Sequence, residues 1–341
     1  MTRSWGILTV VLCACTGTLD GGTADDDGGD DDPGPGTGDP PPTANGAYFS
    51  ESMFFDQVAT NLPKAANSAS MLASVKSAGG WGTGAIQIDF TIDVLTAGSS
   101  AEMKSFEPTD NFWAPDCDLV PVPIPAGGNV ENEDGYECTS GGDCHLIVHQ
   151  PSTNKLYEML GASISGARFD GGCLVVWDTA TTYSDTLRGD QCTSADAAGF
   201  PIAPLLFTAD EVAAGEINHA IRFILPNNRV KRGFMRPATH GSDTTGGSDA
   251  PPYGMHLRLR ADYPIDSLPT EGAKVVARAM QTYGMYHADG GNIALTAQSD
   301  RHTTAKWEDH LGPFDLDALA IDDFEVLDHG GMIPLTYDCV R

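Results

Sequence analysis

The chain has 341 residues, with 47 Asp and Glu against 19 Lys and Arg, for a formal net charge of −28. A surface of that sign argues against nucleic acid or an anionic membrane face as partner, because both require a basic footprint. Hydrophobic residues make up 41% of the chain. No apolar run reaches the roughly 20 residues of a membrane span, so the body is expected to be soluble.

Residues 1–15 read as an export signal. Arg3 gives a positive start, Ile7 to Ala14 is an apolar stretch of signal-peptide length, and Leu12-Cys13-Ala14-Cys15 is similar to a bacterial lipobox, with Cys15 as the lipidated residue. Residues 16–46 follow as a linker with eight Asp, many Gly and Pro, and no Lys or Arg. Such a segment cannot bury enough apolar surface to offset its ordering entropy and is expected to be disordered. Residues 47–341 then read as one globular domain. With 18 basic and 39 acidic residues, it is itself near −21.

Within that domain the strand-like runs come in order at 86–92, 145–149, 173–177, 217–225 and 255–261. Helical patterns are fewer. One covers 67–77, a short one begins at Thr208 with a Thr208/Glu211 capping box, and the clearest spans 270–283 with Thr270 as N-cap and Gly284 as stop. Many short strands with few short helices imply a mainly β domain, an antiparallel β-sandwich or jelly roll. Six cysteines behind an export signal (Cys117, Cys138, Cys144, Cys173, Cys192 and Cys339) imply three disulfides. Proximity favours Cys138–Cys144 and Cys173–Cys192, which leaves Cys117 for Cys339. The absence of a CxxC pair argues against a zinc site.

Candidate chemistry concentrates between Asp196 and Asn292. Alternation over 217–225 puts His219 on the apolar face of a strand, either as a core histidine bonded to backbone or as a proton-transfer group at the floor of a cleft. Glu216 stands at the start of that strand. His256, Arg258 and Arg260 share one face of the next, as a row able to bind an anionic substrate or to pair with acidic neighbours. Tyr286 and Asp289 follow on a strand and its tight turn, and His240 opens a Gly-rich loop. GxSxG, P-loop, GxGxxG and HExxH motifs are absent from the sequence.

The segments Glu216-Ile217-Asn218-His219-Ala220-Ile221-Arg222-Phe223, Arg236-Pro237-Ala238-Thr239-His240, Pro251 to Arg260 and Tyr283 to Asn292 resemble a family of secreted microbial β-rich proteins that is itself uncharacterised. A weaker similarity is to jelly-roll polysaccharide lyases, which use an arginine-rich strand, a histidine and a tyrosine around a cleft. The reading is therefore a surface-anchored or secreted carbohydrate-active protein that cleaves an extracellular polysaccharide. A glycoside hydrolase would use Glu216 and Asp289 as its carboxylate pair. A uronic-acid lyase would use Arg258 and Arg260 for the substrate carboxylate, with His219 and a tyrosine moving protons. The alternative is a non-catalytic glycan-binding or adhesin domain in which Trp177, Trp307 and Tyr286 stack on sugar rings. No cofactor or metal is expected, the membrane is reached only through the N-terminal lipid, and the protein is expected to be a monomer in or outside the bacterial cell envelope.

Overall fold

A computed structural model describes residues 48–341. The expected signal, the lipidation site Cys15 and the whole linker lie outside the described residues. The first strands are β1 (Ile88–Ile92), β2 (Val94–Thr96), β3 (Glu102–Lys104), β4 (Glu107–Pro108) and β5 (Val122–Ile124). A second group comprises β6 (Leu146–Gln150), β7 (Lys155–Met159), β8 (Ser163–Ser165), β9 (Arg168–Gly171) and β10 (Leu174–Asp178). The last are β11 (Ile221–Leu225), β12 (His256–Leu259), β13 (Met285–Gly290), β14 (Leu295–Gln298) and β15 (Phe324–Val326). Three α-helices join them: α1 (Ser68–Ser77), α2 (Ala209–Ala214) and α3 (Glu271–Thr282).

The largest sheet has six strands in the order β1-β14-β11-β13-β12-β15, and a four-stranded sheet has the order β10-β7-β6-β2. The domain is strand-rich with few helices, as expected. Its pairing is mixed in direction, however: β1 with β14, β11 with β13 and β2 with β6 all run parallel. Parallel neighbours need long crossovers. Here α2 leads into β11, and β12 and α3 both lie between β11 and β13.

The helices form where local chemistry caps them. Thr208 Oγ accepts the Glu211 N–H (3.2 Å) while the Glu211 carboxylate accepts the Thr208 N–H (2.9 Å), and Gly215 ends α2 in the left-handed region at φ 89°. Thr270 Oγ accepts the Ala273 N–H at the start of α3. That helix buries Val275, Val276 and Met280, each contributing about 1.5–3 kcal/mol of apolar burial.

Two apolar clusters lie on either side of the four-stranded sheet. Alternate residues Ile147, Leu156, Val175 and Trp177 enter the larger cluster, and Leu146, Val148, Tyr157, Met159 and Leu174 enter the smaller one. Burial on both faces explains why β6 reads as a continuous buried run. Glu158 fastens this sheet to the following loop: its carboxylate accepts the Trp177 indole N–H (2.9 Å) and the Ile202 and Ala203 amides (2.8 Å each).

The disulfides are Cys117–Cys173, Cys138–Cys144 and Cys192–Cys339. The short-range pair forms as expected. The other two correct the sequence reading: the C-terminus is tied to Cys192, and Cys117 to Cys173. Nearness along the chain failed as a guide because Cys173 precedes β10, whose Leu174 carbonyl accepts the Asp118 N–H (2.7 Å) and so brings the Cys117 turn alongside.

Candidate active site

A cavity of about 500 Å³ opens beside the C-terminal end of β13. Four segments wall it. Trp113, Ala114 and Asp116 come from the turn before Cys117. Thr193, Ser194, Ala195 and Ala197 follow Cys192. His240 to Asp243 form a loop after β11, and Tyr337 belongs to the C-terminal segment. Asp289 projects from β13 itself.

The backbone fixes these segments tightly. Ala198 N–H donates to the Ala288 carbonyl (2.9 Å), docking the 193–199 loop on β13, and Thr239 N–H donates back to the Ala198 carbonyl (3.0 Å). Gly199 sits at φ 80°, and a Cβ there would meet Thr239 Oγ at 2.1 Å, so the two loops approach as only glycine allows. Asp289 owes its position to a register irregularity. Phe223 pairs with His287, but Ile224 pairs with Asp289, leaving Ala288 as an extra residue. Residues paired across a sheet share a face, so this slip puts Asp289 on the face of Ile224 and Arg222. Bulges re-aim side chains in this way beside functional sites.

The charges beneath the cavity set the state of Asp289. Asp196 is fully buried and holds Arg222 through two bonds of 3.0 and 3.2 Å, while the remaining arm of Arg222 reaches Thr296 Oγ (2.6 Å). Burial and the Asp196 carboxylate push the Asp289 carboxyl up to about 7, against the opposing pull of Arg222. An arginine already committed to another carboxylate neutralises its second neighbour poorly. Glu158 is also pushed up to about 7 by burial. Its oxygens are nevertheless filled by three N–H donors, which marks it as structural.

His240 faces the same space. Its Nδ1 donates to the Ala197 carbonyl (3.0 Å), which leaves Nε2 as an acceptor. Burial lowers its pKa, while the Ala197 bond and the Asp116 carboxylate oppose that. The Asp116 carboxylate accepts the Thr193 N–H (2.8 Å). Ser194 is spent on the backbone, donating to the Phe200 and Asp196 carbonyls. Ser242 shares a 2.7 Å bond with the Tyr253 hydroxyl.

Of the residues singled out from sequence, the structure brings Asp289 and His240 together and places the others elsewhere. His219 precedes β11, because the strand begins at Ile221 and the Ala220 amide is committed to the Phe55 carbonyl. It is buried, with Nδ1 donating to the Ala220 carbonyl (2.8 Å) and Nε2 to Glu211 (3.1 Å). Burial pulls its pKa down, but Glu211 outweighs this and the net shift is upward. His219 is thus a core histidine paired with Glu211, and the expected position on a strand face is corrected. Glu216 is exposed beyond the end of α2 and does not line the cavity.

Of the two readings of the cation row, pairing with acidic neighbours is the one seen for Arg258 and Arg260. His256 is buried, donating to the Tyr283 carbonyl (2.7 Å) and bonded to His329 (2.8 Å). Arg258 holds Glu325 (2.6 Å) and the carbonyls of Ala59 and Leu62. Arg260 pairs with Asp262 (3.1 Å) and Asp323 (3.9 Å). Tyr286 is stacked on His256 (4.0 Å) and enclosed by Phe54 and Phe200. Trp177 has no exposed surface, and Trp307 is buried with its indole N–H on the Gln298 carbonyl. These three aromatics are core, so sugar stacking on them is excluded.

The reading from sequence missed Trp113, Asp116, Asp243, Tyr337 and the Asp196–Arg222 pair. Cysteine pairing was the signal that held most of them, since Asp116 adjoins Cys117 and Tyr337 stands two residues from Cys339. Among the described residues, the trios able to approach a metal are Asp116 with Cys192 and Cys339, and Glu133 with Cys138 and Cys144. Each contains a disulfide, whose sulfurs are not thiolate ligands. No helix among the described residues is long and apolar enough to cross a membrane. No family model, curated protein or solved structure matches the chain.

Proposed function

We propose that the protein is a glycoside hydrolase of a neutral extracellular polysaccharide, with Asp289 as its general acid. The observation that carries this reading is a carboxyl pushed up to about 7 on the wall of a cavity of about 500 Å³. A carboxyl in that range stays partly protonated at neutral pH and can donate to a departing oxygen. Asp116 supplies the second carboxylate that glycoside hydrolysis requires, and His240 Nε2 supplies an acceptor beside it. In the proposed step Asp289 protonates the glycosidic oxygen as its bond to the anomeric carbon breaks. Water adds to that carbon, and Asp116 takes the proton the water loses.

The charge around the cavity favours a neutral substrate over a uronic acid. Its wall carries Asp116, Asp243 and Asp289, and the Arg232 guanidinium, which lies over Tyr337, is paired with Asp243 (3.0 Å). A lyase acting on uronic acids needs free cations to neutralise the substrate carboxylate, and Arg258 and Arg260 are committed elsewhere. The location we infer is the bacterial envelope or its exterior, from the lipobox-like ending at Cys15 together with three disulfides, which persist in oxidising compartments.

The test is to incubate oxidised protein with neutral, uronic and sulfated polysaccharides while following reducing ends and ultraviolet absorbance together. We expect reducing ends from a neutral glycan without absorbance, falling by about a hundredfold or more in Asp289→Asn. Absorbing products point to a lyase, and undiminished cleavage by Asp289→Asn removes Asp289 from the mechanism. Binding without cleavage points to a glycan-binding domain.

A further inference from the structure

Two disulfides converge on the cavity described above, and each holds an exposed aromatic side chain at its edge. Trp113 is 44% exposed and Tyr337 47%, and both line the cavity, whereas Trp81, Trp177 and Trp307 are buried. Trp113 is locked to Cys117 by reciprocal contacts. Its carbonyl accepts the Cys117 N–H (2.8 Å), its own N–H points at Cys117 Sγ (3.3 Å), and Cys117 is tied to Cys173. Tyr337 stands two residues before Cys339, whose partner Cys192 leads directly into the cavity residues Thr193 and Ser194.

The two aromatic segments are also tied to one another. The Arg341 guanidinium donates to the carbonyls of Pro115 (2.8 Å) and Asp116 (3.0 Å) and to the Asp118 carboxylate (2.6 Å). Tyr337 itself adopts φ 66°, in the left-handed region that a bulky residue occupies only when its surroundings enforce it. Its ring meets His240 edge-on (5.4 Å) and lies under Arg232 (5.5 Å). A half-exposed indole on a backbone that is already fixed brings little main-chain ordering cost to binding, which favours it as a contact surface.

We propose that Trp113 and Tyr337 form a carbohydrate-stacking subsite at the cavity mouth, Trp113 as the platform for the apolar face of a pyranose and Tyr337 as a second wall. The Cys117–Cys173 and Cys192–Cys339 disulfides hold them in place. This rests on the hydrolase reading and names the contact that orients the glycan against Asp289. It assigns binding to two residues of ordinary local sequence.

The experiment uses full-length oxidised protein carrying Asp289→Asn, so that ligand survives, and titrates it by calorimetry with neutral hexasaccharides of β-1,4-glucan, β-1,3-glucan, β-1,4-xylan and β-1,4-mannan. At least one is expected to bind. Trp113→Ala should then weaken it by about tenfold with an unchanged melting temperature, Trp113→Phe should restore most of the affinity, and Tyr337→Ala should also lose affinity. Equal binding by Trp113→Ala and its parent overturns the subsite while leaving hydrolysis by the wild type intact. If no hexasaccharide binds and the wild type releases no reducing ends from the polysaccharides, the hydrolase reading falls and the subsite falls with it.

Discussion

Replacing Asp289 by asparagine should make the protein more stable at neutral and alkaline pH, and the size of that gain follows from the site. An aspartyl carboxyl has an ordinary pKa of 3.8, and in the folded protein that of Asp289 stands at about 7. The folded state therefore holds a proton that the unfolded state has released over this interval. Stability contributed by the protonated form is fully present below about pH 4 and is lost as pH rises through about 7. Complete loss corresponds to about 4 kcal/mol at 1.36 kcal/mol per pKa unit. Asp289 is half-buried on the wall of an open cavity, so about 2–4 kcal/mol is the appropriate range.

Asparagine keeps the size of the side chain and an oxygen for the Gly290 N–H that now donates to Asp289 Oδ1 (2.6 Å), yet never ionises. Urea titrations of wild type and Asp289→Asn, with disulfides intact, should coincide near pH 4 and separate progressively to about pH 8. In melting temperature the gap is about 4–8 °C for a domain of this size. Glu158 titrates in the same range but is common to both proteins, so the difference isolates Asp289. A gap that is constant with pH, or that closes as pH rises, refutes the reasoning.

Further consequences concern the other buried groups. His219→Ala strands the buried Glu211 and should cost about 3–5 kcal/mol, seen as a lowered melting temperature; a variant of full stability that lacks only activity would return His219 to the site. The second concerns His145, whose pKa burial pulls down but the Glu131 carboxylate at 2.6 Å raises to about 9. Its contribution is present below about pH 6.5 and lost as pH rises through about 9, so the stability gap between wild type and His145→Gln should narrow over that window in urea titrations. Cysteines 192 and 339 are 147 residues apart, for which chain entropy gives about 5 kcal/mol as an upper value. Cys192→Ser with Cys339→Ser should cost about 2–5 kcal/mol, and a calorimetric melt unchanged from wild type would contradict the clamp.

The elements were legible where chemistry is local. Thr208 with Glu211 and Thr270 with Gly284 announced α2 and α3 because capping needs only neighbouring residues, and β1, β6, β10 and β12 begin within one or two residues of their hydrophobic runs. Strand direction was not legible, since parallel pairing of β11 with β13 depends on what intervenes rather than on either strand. The run at 217–225 overreached because alternation continues through Ile217 and His219 although the Ala220 amide is bonded to Phe55. The site was half legible. His240 and Asp289 stood out as residue types on loops and turns, but only the one-residue slip against β11 puts Asp289 on the face of Arg222. Trp113, Asp116 and Tyr337 lie far from it along the chain, and the long-range disulfides beside them, Cys117–Cys173 and Cys192–Cys339, cannot be deduced from spacing.

The proposed hydrolysis requires a carboxyl that keeps its proton near neutral pH inside the cavity. Carbon-detected NMR titration of the aspartate carboxyls, with Asp289 assigned by the resonance that Asp289→Asn removes, measures this directly. A midpoint close to 7 is the result expected of a general acid at this position. A midpoint in the ordinary range near 4 contradicts the assignment and, with it, the proposed hydrolysis.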